Sequence, residues 1–248
     1  MKLNDLSIYL NQLLLPANFN DYCPNGLQIE GKPIIHKIVT GVTASLELLQ
    51  AAHLARADAI LVHHGYFWGN EPAPITGIKK RRIQFLLEHD INLFAYHLPL
   101  DAHLELGNNV MLAKHLGLNI KAWSGDKNLL ALAELNAPTT LNKFVELVHA
   151  KLKRAPVVIG DMQKLITHVA LCTGAAQSFI DQAIAANVDV FISGEISEQT
   201  VHSARESGVA YISAGHHATE RYGVQALGEH LAAKFGLEHQ FIDCDNPV

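Results

Sequence analysis

The residues with the most chemistry to offer are histidines placed beside acids. His63 and His64 are adjacent, His97 is followed four residues later by Asp101, and His216 is followed four residues later by Glu220. Neutral imidazoles combined with carboxylates suit zinc, manganese, iron or nickel, and the absence of thiolates from the set speaks against a structural zinc site. His216 and Glu220 open the stretch "HATERYGVQALGEHLAAKFG", which reads as a helix, so the two side chains project from one face. His63 and His64 close the apolar run Ala59 to Val62, which reads as a buried strand. Successive strand residues face opposite ways, so the pair should diverge if the strand runs through both. That is awkward for one ion and natural for two ions side by side, which a carboxylate such as Glu220 can bridge at about 3.5–4 Å. With fifteen histidines in 248 residues, neither adjacency nor the four-residue spacing means much by itself. Position is what singles these residues out.

Their positions follow from an internal repeat. "KIVTGVTASLELLQAAHLARADAILVHHG" and "HVALCTGAAQSFIDQAIAANVDVFISGEI" share one pattern: strand, small-residue turn, helix, then Asp and a second apolar strand. Asp58 over Asp189 gives an offset of 189 − 58 = 131 and lays His64 over Glu195. Further on, "INLFAYHLPLDAHLEL" matches "VAYISAGHHATERYGV" at an offset of 216 − 97 = 119, which lays His97 over His216 and Asp101 over Glu220. The loop "FWGNEPAPITGI" in the first copy takes up most of the difference. The expected fold is therefore α/β: two α/β repeats, residues 1–122 and 123–248, intertwined as one functional unit. Residues 29–118 and 160–237 should superpose. Alternating strands and helices imply mostly parallel, helix-covered sheets. Ligands in such sheets sit beyond the carboxyl ends of the strands, where His63, His64, His97, Asp101, Glu195, His216 and Glu220 all fall.

Composition narrows the alternatives. A hydrophobic content of 49% supports a sizeable core, and a net charge of −5 argues against a nucleic-acid surface. The one basic run, Lys79 to Arg82, opens an apparent helix and reads as its solvated face. Three scattered cysteines make no disulfide framework and no C-x-x-C pair. The N-terminal stretch reads as an amphipathic helix stopped by Pro16, not a signal peptide, and no apolar run reaches the ~18 residues of a membrane span. A cytoplasmic protein is expected.

The motifs "DYCPNGLQIEG", "TGVTAS", "ADAILVHHGYFW", "INLFAYHLPLDAHLELGNN", "SGEISEQTVHSARE" and "AGHHATERYG" together resemble the NIF-three-like family, also labelled GTP cyclohydrolase I type 2 homologues, in its gammaproteobacterial branch. The resemblance covers essentially the whole chain. It implies two intertwined α/β repeats with a dinuclear metal cleft between them, two divalent ions per chain, and assembly as a toroidal homohexamer. Its ligands fall on His63, His64, Asp101, His216 and Glu220, with Glu220 bridging. Many relatives carry Gly-Asp-x-x-His-His where this chain has "SGEISEQTVH", so Glu195 stands for the acid and the two histidines are replaced.

Around that ligand set, His97 is expected either to orient a ligand or shuttle a proton, or simply to be a hydrogen-bonded core histidine. Glu195 is a candidate base or a structural carboxylate. Asn25, Gln28 and Tyr66 are candidate substrate contacts; Gly26 supplies a backbone turn, and Phe67 and Trp68 extend the aromatic run. No P-loop, nucleophile elbow or dinucleotide fingerprint is present. The leading functional expectation is a metal-dependent hydrolase of a small polar substrate. The family label suggests a purine nucleotide, with water activated for attack on the guanine imidazole ring; phosphoester hydrolysis fits the same residues. The alternative is a non-catalytic metal store, carrier or insertion factor.

Overall fold

The computed structural model describes residues 1–248, and the chain forms two compact units. In the first lie α1 (Leu3–Leu14), β1 (Gly26–Ile29), β2 (Lys37–Thr43), α2 (Leu46–Leu54), β3 (Ala59–His64), α3 (Gly77–Glu88), β4 (Asn92–Ala95) and α4 (Leu98–Ala102). The second begins at Asn108 and holds α5 (Asn108–His115), β5 (Asn119–Ser124), β6 (Leu130–Thr140), α6 (Leu141–Leu152), β7 (Val157–Ile159), β8 (Leu165–Leu171), α7 (Ile180–Ala185), β9 (Val190–Ser193), α8 (Glu198–Ser207), β10 (Ala210–Ser213) and α9 (His216–Thr219). From Gly223 to Asp245 the chain belongs to the first unit again, through most of α10 (Arg221–Phe235) and all of β11 (Glu238–Phe241). Residue 122, the sequence-based boundary between repeats, lies inside β5, which pairs with β6 in the second sheet. No helix is long and apolar enough to cross a membrane.

The two sheets have the orders β1-β4-β3-β2-β11 and β5-β6-β8-β9-β10-β7. In the first, β2, β3, β4 and β11 run parallel and only β1 is antiparallel, to β4. The second departs from the expected parallel sheet: β8, β9 and β10 are parallel, but β5, β6 and β7 all pair antiparallel. The cause is local. β5 and β6 are joined by a short turn at Gly125 to Leu129, and such a connection can only make a hairpin, whereas parallel neighbours need a crossover.

Within these sheets the repeat is visible strand for strand. β4-β3-β2 matches β10-β9-β8, and each triplet carries an antiparallel edge strand, β1 or β7, on its last member. Ile38 pairs with Ala59 as Val169 pairs with Val190, both at the offset of 131. The last strands correspond at 118, since Ala95 opposite Val62 matches Ser213 opposite Ser193. The turn before His216 is thus one residue longer than the turn before His97, and it passes through Gly215 at φ 102°, a conformation open to glycine.

Two aspartates lock the repeats in register. Asp58 Oδ2 accepts hydrogen bonds from the backbone N–H of His36 (2.9 Å) and Lys37 (3.1 Å), ahead of β2. Asp189 Oδ2 accepts the same pair, from Thr167 (2.8 Å) and His168 (2.9 Å), at β8. Burial alone would raise both carboxyls, but Lys32 and the two N–H groups hold Asp58 below the usual range. The N–H groups of His168 and Thr167, with Lys164, do the same for Asp189.

Packing in the first unit explains how β3 delivers its histidines. Ala59 and Leu61 join Leu6, Leu10, Phe94, Val224 and Leu227 on one side of the sheet, while Ile60 and Val62 join Leu48, Leu49, Ile83 and Leu86 on the other. Each fully buried aliphatic side chain contributes about 1.5–3 kcal/mol. The strand is therefore gripped on both faces up to the point where His63 and His64 emerge. Gly228 gives α10 close approach to β11, since a Cβ there would fall on the His239 ring.

Asp58→Ala and Asp189→Ala should each lower stability by about 1–3 kcal/mol at pH 7, because each removes a charged acceptor shared by two backbone N–H groups. A carboxyl with a depressed folded value stabilises fully above its unfolded value of about 3.9, and that stabilisation is lost as pH falls through the folded value. Urea titrations from pH 7 down to 3 should show the gap to wild type narrowing below pH ~4. A constant gap would place the effect in packing and not in charge.

Candidate metal centre

In the first unit the strand ends bring three imidazoles together. His63 is fully buried, and its Nδ1 lies 3.0 Å from the Tyr96 carbonyl. A carbonyl only accepts, so Nδ1 carries a proton; Nε2 stands 3.4 Å from Asp101 Oδ1. Asp101, also buried, is carried by α4, the single turn following β4. His64 is half-buried, with Nδ1 3.1 Å from Thr43 Oγ1 on the neighbouring β2. The expected divergence of the pair does not occur: the ring centroids are 4.6 Å apart. The reason is that His64 is the last residue of β3, so its side chain turns over the sheet end instead of standing on the opposite face. His97 completes the group, its ring 5.1 Å from His63 and 5.8 Å from His64, and one nitrogen from each of the three rings lies within 4.8 Å of the others.

His97 is the most heavily constrained of the three. Its Nδ1 is 2.7 Å from Asp21 Oδ1, and its backbone N–H donates to Asn25 Oδ1 at 2.7 Å. Asp21 Oδ2 accepts from the Leu98 N–H and from Asn25 Nδ2, both at 2.9 Å. The Asp21 side chain is only 2% exposed. Burial would raise this carboxyl, but the hydrogen bond and charge of His97, with the other donors, bring it down to about 2. Cys23, nearby, has its thiol pushed up to about 12 by burial and by the Asp21 charge, so it remains protonated. Asp21 was not singled out by sequence reasoning. Nothing in periodicity or spacing marks it; only its place in the "DYCPNG" motif could have.

The candidate substrate contacts have other duties in this structure. Asn25 is committed to His97 and Asp21. Gln28 donates to the Pro24 and Tyr66 carbonyls and accepts from the Tyr66 N–H. Tyr66 is 2% exposed with its hydroxyl on the Ala44 carbonyl, a core position. Of the aromatic run, Trp68 is the member against the histidines, 5.0 Å from His97 and 5.9 Å from His64.

The second unit builds its own donor set at the matching strand ends. Glu195 follows β9, and its Oε1 lies 2.7 Å from His216 Nδ1. His216 Nε2 lies 3.2 Å from Glu220 Oε2, the i,i+4 partner expected from spacing, and Glu220 is buried. The helix is not continuous between them: α9 ends at Thr219, and Glu220 sits at φ −110°, ψ 10° before α10 begins. Burial would lower His216, but Glu220 and then Glu195 overcome it and raise the ring to about 9. Glu195 is thus an orienting carboxylate in this arrangement. Ser197 caps α8 by accepting from the Thr200 N–H. Gly174, at φ 69°, closes the pocket wall: a Cβ would land on Glu220 Oε1.

These donors fit divalent ions. His63 and His216 have Nδ1–H tied to a fixed acceptor, as metal-ligating histidines do, and each unit adds a buried carboxylate. At His216 and Glu220 a cation would be held by the facing Nε2 and Oε2 atoms, which lie 3.2 Å apart.

Fold and donors together describe an α/β protein of two repeats that gathers imidazoles and carboxylates at its strand ends. The chain belongs to the Duf34/NIF3 (NGG1p interacting factor 3) family, whose sequence model matches residues 1–247. It is 53% identical over 235 residues to a Pseudomonas aeruginosa protein named GTP cyclohydrolase 1 type 2 homolog, covering 94% of this chain and 93% of that one. Among solved structures it is similar to the structural-genomics protein ybgI, described as of unknown function, with TM-score 0.97, 48% identity and full coverage of both chains. The protein TTHA1606 from Thermus thermophilus is similar too, with TM-score 0.90, 34% identity and full coverage of both.

Gly174→Ala should displace Glu220 and lower the metal content measured by elemental analysis. Gly117→Ala is the control: its φ is 71°, yet its Cβ would meet nothing within 4 Å. Both variants carry the backbone cost of about 1–2 kcal/mol, so only a loss specific to Gly174→Ala reports the Glu220 contact. Equal metal content in the two would remove Gly174 from the site.

Proposed function

We propose that this protein is a dinuclear metal-dependent hydrolase, with His63, His64, Asp101, His216 and Glu220 holding two divalent ions and Glu220 bridging them. The observation that carries this reading is the matched equipment of the two units: each presents imidazole beside a buried carboxylate at its parallel strand ends, with Nδ1 anchored at His63 and His216. Family membership supports the same ligand set. When bound, such ions supply Lewis acidity that makes water a nucleophile near pH 7. The chain's own residues would do the rest. Glu195 orients His216, Tyr96 and Thr43 orient His63 and His64, and Trp68 shields one flank. His97, with Nδ1 engaged by Asp21, has Nε2 to accept or return a proton. The substrate is a small polar molecule, with a purine nucleotide the case that the relatives' name suggests. The protein works in the cytoplasm as a closed homo-oligomer, a hexamer in this reading, which light scattering at micromolar concentration would test.

Protein loaded in turn with zinc, manganese, iron or nickel should be screened against GTP, other nucleotides and phosphoesters, with His64→Ala as control. Glu220→Gln should weaken both ions and abolish turnover. His97→Ala should retain metal while turnover drops about 10–100-fold. Fully loaded wild type that turns over none of these substrates would favour the metal-carrier function instead, and complete metal loss in His97→Ala would make His97 a ligand.

A further inference from the structure

We infer that Asp21 is a positioning residue of the centre, acting through His97. The inference rests on the reading that His97 serves the centre, and four observations carry it. Asp21 is among the most deeply buried carboxylates outside the proposed ligand set, with a side chain 2% exposed. Both of its oxygens are committed to the His97–Leu98 segment: Oδ1 faces His97 Nδ1 at 2.7 Å and Oδ2 accepts the Leu98 N–H at 2.9 Å. Asn25 closes the clamp, donating to Asp21 Oδ2 and accepting the His97 N–H. The ring so held lies against His63, His64 and Trp68.

The chemistry follows from what a carboxylate can do. Ionised, Asp21 has no proton to give, so the Asp21–His97 bond requires the ring proton on Nδ1. The neutral ring then carries its lone pair on Nε2. Tyr22 also donates its N–H to Asp21 Oδ1, so every contact of this carboxylate is one it accepts. An amide of the same shape cannot fill that position. Wherever its NH₂ group points, it meets either Tyr22 N–H and His97 Nδ1–H, or Leu98 N–H and Asn25 Nδ2. Relief comes if the ring accepts from the amide at Nδ1 and moves its proton to Nε2, which removes the lone pair from the side of the histidine cluster. In serine-protease triads, replacing the orienting aspartate by asparagine leaves geometry intact and inactivates through the same tautomer error.

The counterpart in the other repeat supports the assignment. His216, aligned with His97, has its own Nδ1 on a carboxylate, Glu195, at the same 2.7 Å. The orienting acids come from unrelated places: Glu195 lies within the repeat and Asp21 in the segment before β1. The recurring element is the tether, not the residue that supplies it.

The test uses the full chain, metal-free and ¹⁵N-labelled, with the His97 ring assigned by its loss in His97→Gln. Two-bond nitrogen–proton correlations should show wild-type His97 as the Nδ1–H tautomer. In Asp21→Asn the ring should shift to Nε2–H or to a mixture. Metal-loaded Asp21→Asn should keep its metal content and match the rate loss of His97→Ala, with no further loss in the double variant. An Nε2–H ring in wild type would overturn the proposal, as would an unchanged tautomer in Asp21→Asn accompanied only by a lower Tm, the result expected of a purely structural clamp. If Asp21→Asn does not fold, the wild-type tautomer decides. The tautomer readout needs no substrate, so a failure of the hydrolase reading would leave it standing.

Discussion

The candidate centre depends on a tether at the far side of each imidazole. A histidine at a strand end has a freely turning ring, and a freely turning ring is a poor donor because ordering it costs rotamer entropy at the moment of binding. Here the fold makes that investment in advance. Tyr96 carbonyl, Thr43 hydroxyl, Asp21 and Glu195 each hold one Nδ1 within 3.1 Å. Three of the four are obligatory acceptors, so they fix the tautomer as well as the angle. The fourth, a hydroxyl, fixes the angle alone.

Strand direction explains why the tethered histidines gather at one edge of each sheet. Parallel strands all finish on the same edge of a sheet, so whatever follows β3, β4, β9 and β10 is delivered to the carboxyl ends without further design. Asp58 and Asp189 keep this delivery in register, each holding the two residues that lead into or open the adjacent strand. Because side chains alternate with a period of two, a slip of one residue would turn the whole of β3 inside out. The two halves differ at these strand ends. His64 corresponds to Glu195, and the one-residue longer turn at Gly215 moves His216 relative to its counterpart His97.

Much of this was legible in the sequence because it rests on local rules. Buried parallel strands read as uninterrupted apolar runs, and Ala59 to Val62 is fully buried as expected. The Asp58–Asp189 match reflects one hydrogen-bonding job done twice. The i,i+4 spacing of His216 and Glu220 survived even though the helix breaks at Glu220. What escaped was non-local or terminal. The alternation rule misplaced His64 because it assumes a strand that continues. The β5–β6 hairpin of the second sheet follows from a short turn that carries little hydrophobic pattern. Asp21 lies 76 positions from His97, and no period connects them. Tyr66 follows the histidine pair closely in sequence, but spacing could not tell that its hydroxyl donates to the Ala44 carbonyl from a buried position.

The two orienting acids also differ in what their histidines meet on the other nitrogen. His216 faces carboxylates on both nitrogens, Glu195 at 2.7 Å and Glu220 at 3.2 Å, and together they outweigh burial and raise the ring. A divalent ion taken up by His216 and Glu220 would compete with a proton for Nε2. His97 meets a carboxylate on one nitrogen only, with imidazole and indole neighbours on its other flank. A ring with a carboxylate on each nitrogen has both positions engaged, whereas a ring with a carboxylate on Nδ1 alone keeps Nε2 directed at its ring neighbours. The roles proposed for the aligned histidines His97 and His216, proton carrier and ligand, rest on that asymmetry, and the residue that creates it on the first side is Asp21.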